Sequence, residues 1–341
     1  MENLQKLFRT LDLTAFEAKV YVALLSHGPL SPSRLAEILG VHRPQVHASL
    51  RRLILRGLVE VHEGKPAMYR AVEPETLFEI ISEEFDDMMD KSKSFINTIP
   101  RKKEGEEYGV WIFKSRRGLI GRYVKAVSRA KVDLAISGDI VFISKLRKYV
   151  IAAQRRGVTV YVIVYDIPGV KFKEKVFEGF HKVKRAVSGD LLVVADSQIG
   201  ILAQRRNEIE TLPSYGIAVE EPMLIDYLLQ DFFYRWLRSR TIIDEDIKLP
   251  VKYTMFKLGL IEVRKLIERG CRLWGIFRGR WLRKPGEDGN LEGEIIKAFF
   301  DPETGIAQIH VRSDDGNIYT AGGADAIVED FATSEMLIKE V

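Results

Sequence analysis

The chain has 341 residues, 46% hydrophobic and 29% charged, a balance that supports two or three folded domains and excludes global disorder. Its formal net charge is only +4, so the total neither demands nor excludes a polyanionic partner, and local clustering must decide. The one cysteine, Cys271, cannot form an intramolecular disulfide or a Cys-rich zinc centre, and no apolar run approaches the ~18 residues of a membrane span.

Residues 1–75 read as a winged helix-turn-helix. Thr14 stands three before Glu17, a capping box, and Phe16, Val20, Tyr21, Leu24 and Leu25 follow at helical spacing until Gly28-Pro29. Ser31 or Ser33 can cap a second short helix with Leu35, Ala36 and Leu39 inward, and Gly40 gives the turn. A third helix starts near Arg43, tolerates Pro44 in its first turn, turns Val46, Leu50, Leu53 and Ile54 inward and ends at Gly57. Residues 58–61 and 68–71 then read as a hairpin wing around the turn-rich tip 62–66.

The outward face expected for the third helix is Arg43, Gln45, His47, Ser49, Arg51, Arg52 and Arg56, with no acid between Arg43 and Arg56. Such a face suits base edges at its N-terminal end and phosphates along its flanks. The candidate contacts to duplex DNA are Ser33, Arg34, His42, Arg43, Gln45, His47, Arg51, Arg52 and Lys65 at the wing tip. A basic helix face on a protein-binding module is the alternative.

From Phe78 the apolar positions run Ile81, Phe85, Met88, Phe95 and Ile99, with Ser92 completing steps of three and four. This is a heptad seam over 76–100, with acids and lysines between and Pro100 as its stop. A narrow stripe needs a partner: either a second copy in a dimerising coiled coil or the chain's own next domain. Residues 101–107 form a charged linker.

Over 108–245 strands and helices alternate, as in an α/β domain. Strands are expected at 109–114, 132–136, 159–165, 191–196, 199–203 and 217–219, and helices at 117–130, 140–156 and 221–240. There is no Gly-rich phosphate loop, no nucleophile elbow and no metal-spaced histidine pair. His181-Lys182-Val183-Lys184 is similar to the His-x-Lys core of phospholipase D-like enzymes, but Val183 stands where the lysine is required and no second copy occurs. The expectation is a phospholipase D-like scaffold without a catalytic site, cofactor or metal, with His181 an ordinary surface or interface residue. Over 250–341 a helix at 258–269 precedes strands at 272–277, 291–300, 307–311 and 317–321, giving a β-rich C-terminal domain. The segment from Gly322-Gly323 to Phe331 allows close backbone approach to a ligand and carries acids that can hold a sugar diol, although by local pattern it is also just a turn.

Taken end to end, the sequence resembles the TrmB family of archaeal sugar-responsive transcription regulators. Leu13 to Tyr21 looks like the family's opening helix, and Val46 to Gly57 like its recognition helix. Gly322-Gly323-Ala324-Asp325-Ala326-Ile327-Val328-Glu329-Asp330-Phe331 is similar to the family's Gly-Gly-Met-x-Ala-Val-Ile-Glu-Asp-aromatic sugar segment. That resemblance implies a sugar effector held at Gly323, Ala324, Ile327, Val328 and Glu329, a homodimer on promoter DNA, and a cytoplasmic, nucleoid-associated protein. The chain departs from the pattern at Ala324, where the family has methionine. Gln308 could replace a family asparagine, and a family serine has no counterpart near Glu220, Glu221 or Met223.

Overall fold

The structure, a computed structural model, describes residues 2–10, 12–100, 109–167, 170, 172, 174–204, 213–283 and 288–341. Residues Met1–Gly105 form one unit and Glu106–Val341 another.

In the first unit, α1 (Glu2–Thr10) precedes α2 (Ala15–His27). No local start signal precedes α1; Phe8, fully buried against Tyr21, is what fixes it. Thr14 caps α2 in a complete capping box: its hydroxyl accepts from the Glu17 N–H, and its own N–H donates to the Glu17 carboxylate at 2.6 Å. Ser31, not Ser33, caps α3 (Pro32–Leu39), and Gly40 ends it in the left-handed region at φ 66°. Then come α4 (Arg43–Leu55) and the antiparallel pair β1 (Val59–His62) and β2 (Met68–Ala71), to which Leu30 adds a bridge through two 2.9 Å bonds with Tyr69. The long α5 (Pro74–Thr98) closes the unit.

The second unit opens with an eight-stranded sheet. Its strands are β3 (Val110–Phe113), β4 (Asp133–Asp139), β5 (Thr159–Tyr165), β6 (Lys182–Ala186), β7 (Leu191–Ala195), β8 (Ile199–Ala203), β9 (Gly216–Val219) and β10 (Arg240–Asp244), in the order β10-β6-β5-β4-β7-β8-β9-β3. The β-branched centre, β4, β5 and β7, is almost wholly buried, as strands covered on both faces must be. Residues of α6 (Arg116–Arg129) and α7 (Ile140–Arg155) share one core with one side of the sheet. Those of α8 (Pro222–Arg238) share the other with the C-terminal strands.

The remaining elements are β11 (Val251–Tyr253), α9 (Phe256–Glu268), β12 (Leu273–Trp281), β13 (Asp288–Phe300), β14 (Ala307–Arg312), β15 (Ile318–Gly322) and β16 (Phe331–Glu340). Antiparallel pairing runs β11-β16-β12-β13-β14-β15, and a parallel pairing of Ala321 and Gly322 with Phe331 and Ala332 brings β15 back to β16. The sheet therefore closes on itself at Ala321 and Gly322, while β11 continues beside the far end of β16 and, among the described residues, is paired on one side only. Gly279 sits at a register shift where a Cβ would lie 1.9 Å from the Ala332 carbonyl oxygen, so no larger residue fits. Among the described residues, no helix is long and apolar enough to cross a membrane.

Candidate nucleic-acid interface and ligand cleft

On α4, Val46, Leu50 and Leu53 are buried while Arg43, Gln45, His47 and Arg51 are exposed. His42 is the N-cap, with no side-chain capping bond, so its ring stays exposed beside Arg43. Ser33 at the start of α3 is half-buried, Arg34 is exposed and paired with Glu37 at 2.8 Å, and Lys65 is exposed at the wing tip. Two residues depart from the expected outward face. Ser49 is buried, because it lies one position before Leu50 on the shoulder of the apolar stripe. Arg52 is exposed but tied inward: its guanidinium meets the buried Glu17 carboxylate at 3.1 Å and donates to the Asp12 carbonyl at 2.6 Å. Arg52 thus joins α4 to the cap of α2 and holds the two helices in register. Arg56 is likewise engaged, by Glu84 of α5 at 3.0 Å.

Along α5, Leu77 and Ile81 belong to the unit's own core. This corrects the reading of Ile81 as a partner contact: in the helix's first two turns the stripe still faces its own unit. Further on, Phe85, Met88, Phe95 and Ile99 are 47%, 47%, 69% and 50% exposed, and Phe78 is also exposed. Such a run of half-bare apolar side chains has no partner within the unit.

In the second unit, a cleft of about 370 Å³ opens between four elements. These are the β7–β8 turn (Asp196, Ser197), α8 (Asp226, Gln230), the N-terminal end of α9 (Thr254, Lys257) and the β15–β16 connection (Gly323, Ala324, Asp325). Asp196 and Ser197 both have positive φ, 52° and 50°, which turns the hairpin tightly into the wall. The Ser197 hydroxyl is buried and unpaired there. Lys257 meets Asp325 at 3.2 Å. Burial raises the Asp226 carboxyl above its ordinary range, helped by the Asp325 charge and opposed by Lys257. The cleft therefore offers carboxylates, an ammonium, a hydroxyl and an amide, besides an apolar floor that includes Phe233 and Phe256. Polar groups on an apolar wall are what a polyhydroxylated ligand requires.

The expected sugar residues divide. Gly323 and Ala324 line the cleft. Ile327 and Val328 do not; they are 86% and 69% exposed, because the connection bulges outward before β16 begins. Glu329 does not line it either. It is 7% exposed and packs against Gly322, where a Cβ would come 2.8 Å from the Glu329 carboxyl carbon. Its neighbour Asp330 is fully engaged by the Thr320 N–H and hydroxyl, both at 2.9 Å, and by Arg283 at 3.1 Å. Gln308 lies on β14, paired with Phe299, outside the cleft lining. Asp226, Lys257, Ser197 and Gln230 were missed because nothing local in the sequence marks them; the fold alone gathers them.

The histidine-lysine segment also has a structural outcome. His181 is half exposed and stands 4.0 Å from Glu245. Lys182, 2% exposed, joins Asp244 at 2.8 Å and Glu262 at 3.0 Å, and Lys265 meets the same two carboxylates at 2.8 and 3.5 Å. This closed network ties β6 and β10 to α9. Among the described residues no group of histidine, cysteine and carboxylate side chains is placed to hold a metal ion.

Three family models match the chain in succession. They are "Sugar-specific transcriptional regulator TrmB" at residues 7–75, the N-terminal EBD subdomain of transcriptional regulator TrmB at 109–243, and the TrmB/TrmBL1 C-terminal EBD subdomain at 248–341. The chain is 28% identical over 163 residues to the HTH-type sugar sensing transcriptional regulator TrmBL1 of Pyrococcus furiosus, covering 48% of this chain and 47% of that protein. It is 28% identical over 177 residues to the DNA-binding HTH-type transcriptional repressor TrmBL2 of Thermococcus kodakarensis, covering 48% and 66%. The matches thus span about half to two thirds of these relatives' lengths. Among solved structures, the archaeal chromatin protein TrmBL2 aligns with a TM-score of 0.41 at 20% identity, over 70% of this chain and 98% of that one. With consecutive models covering a DNA-reading-type domain and both subdomains behind it, the chain belongs to the TrmB family of transcriptional regulators.

Proposed function

We propose that this protein is a dimeric, sequence-specific DNA-binding regulator of sugar uptake and metabolism genes, whose affinity for its operator is set by a maltodextrin-type or simple sugar. The observation that carries the reading is the exposed, acid-free face of α4, with Arg43, Gln45, His47 and Arg51 presented on a helix whose other side is core. Arg43 and Gln45 lie in the first turn, where a helix entering the major groove reaches base edges; His42, Ser33, Arg34 and Lys65 flank them. Arg52 acts through the fold, by fixing α4 against α2. Two copies joined along α5 through Phe78, Phe85, Met88, Phe95 and Ile99 give the two-fold symmetry that a palindromic site requires.

The effector occupies the second-unit cleft. Gly323 allows close approach, Asp226 and Asp325 accept from hydroxyls, and Lys257 donates. A ligand changes DNA affinity only if it binds the free and DNA-bound states unequally. The α/β sheet serves as a phospholipase D-like scaffold rather than an enzyme, since Val183 stands where the lysine of a His-x-Lys core is required.

Fluorescence anisotropy with promoter duplexes tests the interface. Arg43→Ala with Gln45→Ala should remove the preference for operator over random duplex while leaving the fold intact; an unchanged preference sinks the assignment. A ligand-independent DNA-coating role is the competing reading. A footprint separates the two, because a discrete palindrome supports regulation and uniform coverage supports coating.

A further inference from the structure

A second basic surface lies in the second unit. Residues 110–132 hold seven lysines and arginines with no acid, and residues 140–165 hold five with no acid. Against a chain total of +4, these two stretches leave the rest of the protein net negative. The fold puts them together: α6 and α7 pack on each other and share one core with one face of the sheet. Arg117, Arg129, Lys145, Lys148 and Arg155 are exposed, and Arg122 is half-buried over the Phe113 ring. None of these six meets a carboxylate among the described residues. Several cations elsewhere in the unit are paired, as Arg185 is with Asp166 at 2.7 Å and Arg235 with Asp231 at 2.7 Å.

Beside α6 a cleft of about 250 Å³ is lined by Arg122, Lys125 and Arg129, and two carboxylates reach it. Both are occupied by N–H donors. Asp196 accepts from the backbone of Lys131, Val132 and Asp133 at 2.9, 2.8 and 3.1 Å, and Glu220 from the Trp111 indole at 3.3 Å. At the other border Glu174 and Glu178 are exposed on the turn that Arg147 anchors through two carbonyls. Like charges massed on adjacent helices repel one another, and a partner with regularly spaced negative charge relieves that repulsion.

We propose that the α6–α7 layer is a sequence-independent contact surface for the phosphate backbone of duplex DNA. The inference rests on the reading of the first unit as a DNA reader. Tethered to that reader, the layer meets DNA at high effective concentration, so modest contacts suffice. Each cation that neutralises a phosphate steepens the salt dependence of binding by about 0.9 in log–log slope.

The test uses the full chain, 20- and 60-base-pair random duplexes, and anisotropy between 50 and 300 mM salt. One variant carries Arg117→Gln, Arg129→Gln, Lys145→Gln, Lys148→Gln and Arg155→Gln; a second carries Arg43→Ala, Gln45→Ala and Arg51→Ala. Thermal melting checks that both are folded. We expect the first variant to bind the 60-mer at least tenfold more weakly, with a slope shallower by about 3 to 4. We also expect the second to keep a salt-sensitive affinity for the 60-mer that vanishes when the two sets are combined. A folded first variant with unchanged slope overturns the surface while leaving the helix-turn-helix reading intact. No duplex binding by the unmodified chain overturns both. Stronger binding of RNA duplex or anionic vesicles than of DNA, lost with the same five substitutions, overturns the choice of partner.

Discussion

The α5 seam makes the dimer a quantitative claim. Phe85, Met88, Phe95 and Ile99 each leave about half or more of their surface in water. Covering the exposed half of such a side chain contributes about 1 kcal/mol. Two copies meeting along the seam therefore gain about 8 kcal/mol gross from these four positions, set against the loss of translational and rotational freedom on association. Phe85→Ala with Phe95→Ala removes about 2 kcal/mol per copy and about 4 kcal/mol per dimer, which is a rise of roughly a thousandfold in the dimer dissociation constant at 1.4 kcal/mol per tenfold. Sedimentation equilibrium over a wide range of protein concentration reads this directly, and neither residue lies in the unit's core, so the monomer should melt as before. A dissociation constant that moves less than tenfold would refute the seam as the dimer contact. Ile81→Ala distinguishes the two roles along the helix: because Ile81 is buried within its own unit, it should destabilise the fold by about 2 to 5 kcal/mol and leave the assembly of the folded fraction unchanged.

Three further expectations concern the second unit. Lys182→Met leaves the buried Glu262 with only Lys265 at 3.5 Å, and urea unfolding should show a loss of about 3 to 5 kcal/mol that Lys182→Met with Glu262→Leu largely restores; equal losses in both variants would contradict a buried network. Asp133 is fully buried, and burial raises its carboxyl from 3.8 to about 6, opposed by hydrogen bonds from the Thr254 hydroxyl and the Met255 and Thr254 N–H groups. Between those values the folded state holds a proton that the unfolded chain has lost. The contribution is therefore fully present below pH about 4 and disappears as pH rises through about 6, a change of about 3 kcal/mol. The stability of the unmodified protein relative to Asp133→Asn should fall by that order from pH 4 to 7, and a flat difference would count against it. Asp226→Asn should abolish the heat of sugar binding in calorimetry without altering DNA affinity; a normal titration would remove Asp226 from the ligand site.

Much of this architecture is legible in the sequence because its driving patterns are local. The capping box at Thr14 and Glu17, the apolar stripes of α2 and α4 and the β-branched run of β5 each fix an element from a few neighbouring residues. What stayed hidden depends on distant partners. Strands β6 (Lys182–Ala186) and β10 (Arg240–Asp244) were not among the expected strands, since only tertiary pairing makes Lys182 compatible with burial. Strand β16, ten residues from Phe331 to Glu340, was missed because Thr333, Ser334 and Glu335 interrupt its apolar positions, and pairing with β12, β11 and β15 supplies its partners. The ligand site follows the same rule. Gly323 and Ala324 stand in a contiguous segment, whereas Ser197, Asp226 and Lys257 come from three separate elements that meet only in the folded unit. Ile327 and Val328 share that segment with Gly323, yet the turn directs them to solvent.

The central claim is that one chain couples a DNA-reading helix to a sugar site. Operator affinity measured by anisotropy, with and without maltose, maltotriose and glucose, tests it most directly. One of these sugars should shift the operator dissociation constant about 5- to 150-fold, the range of a 1 to 3 kcal/mol coupling, and Asp226→Asn should remove the shift. Tight operator binding that is indifferent to every sugar in the panel would contradict it.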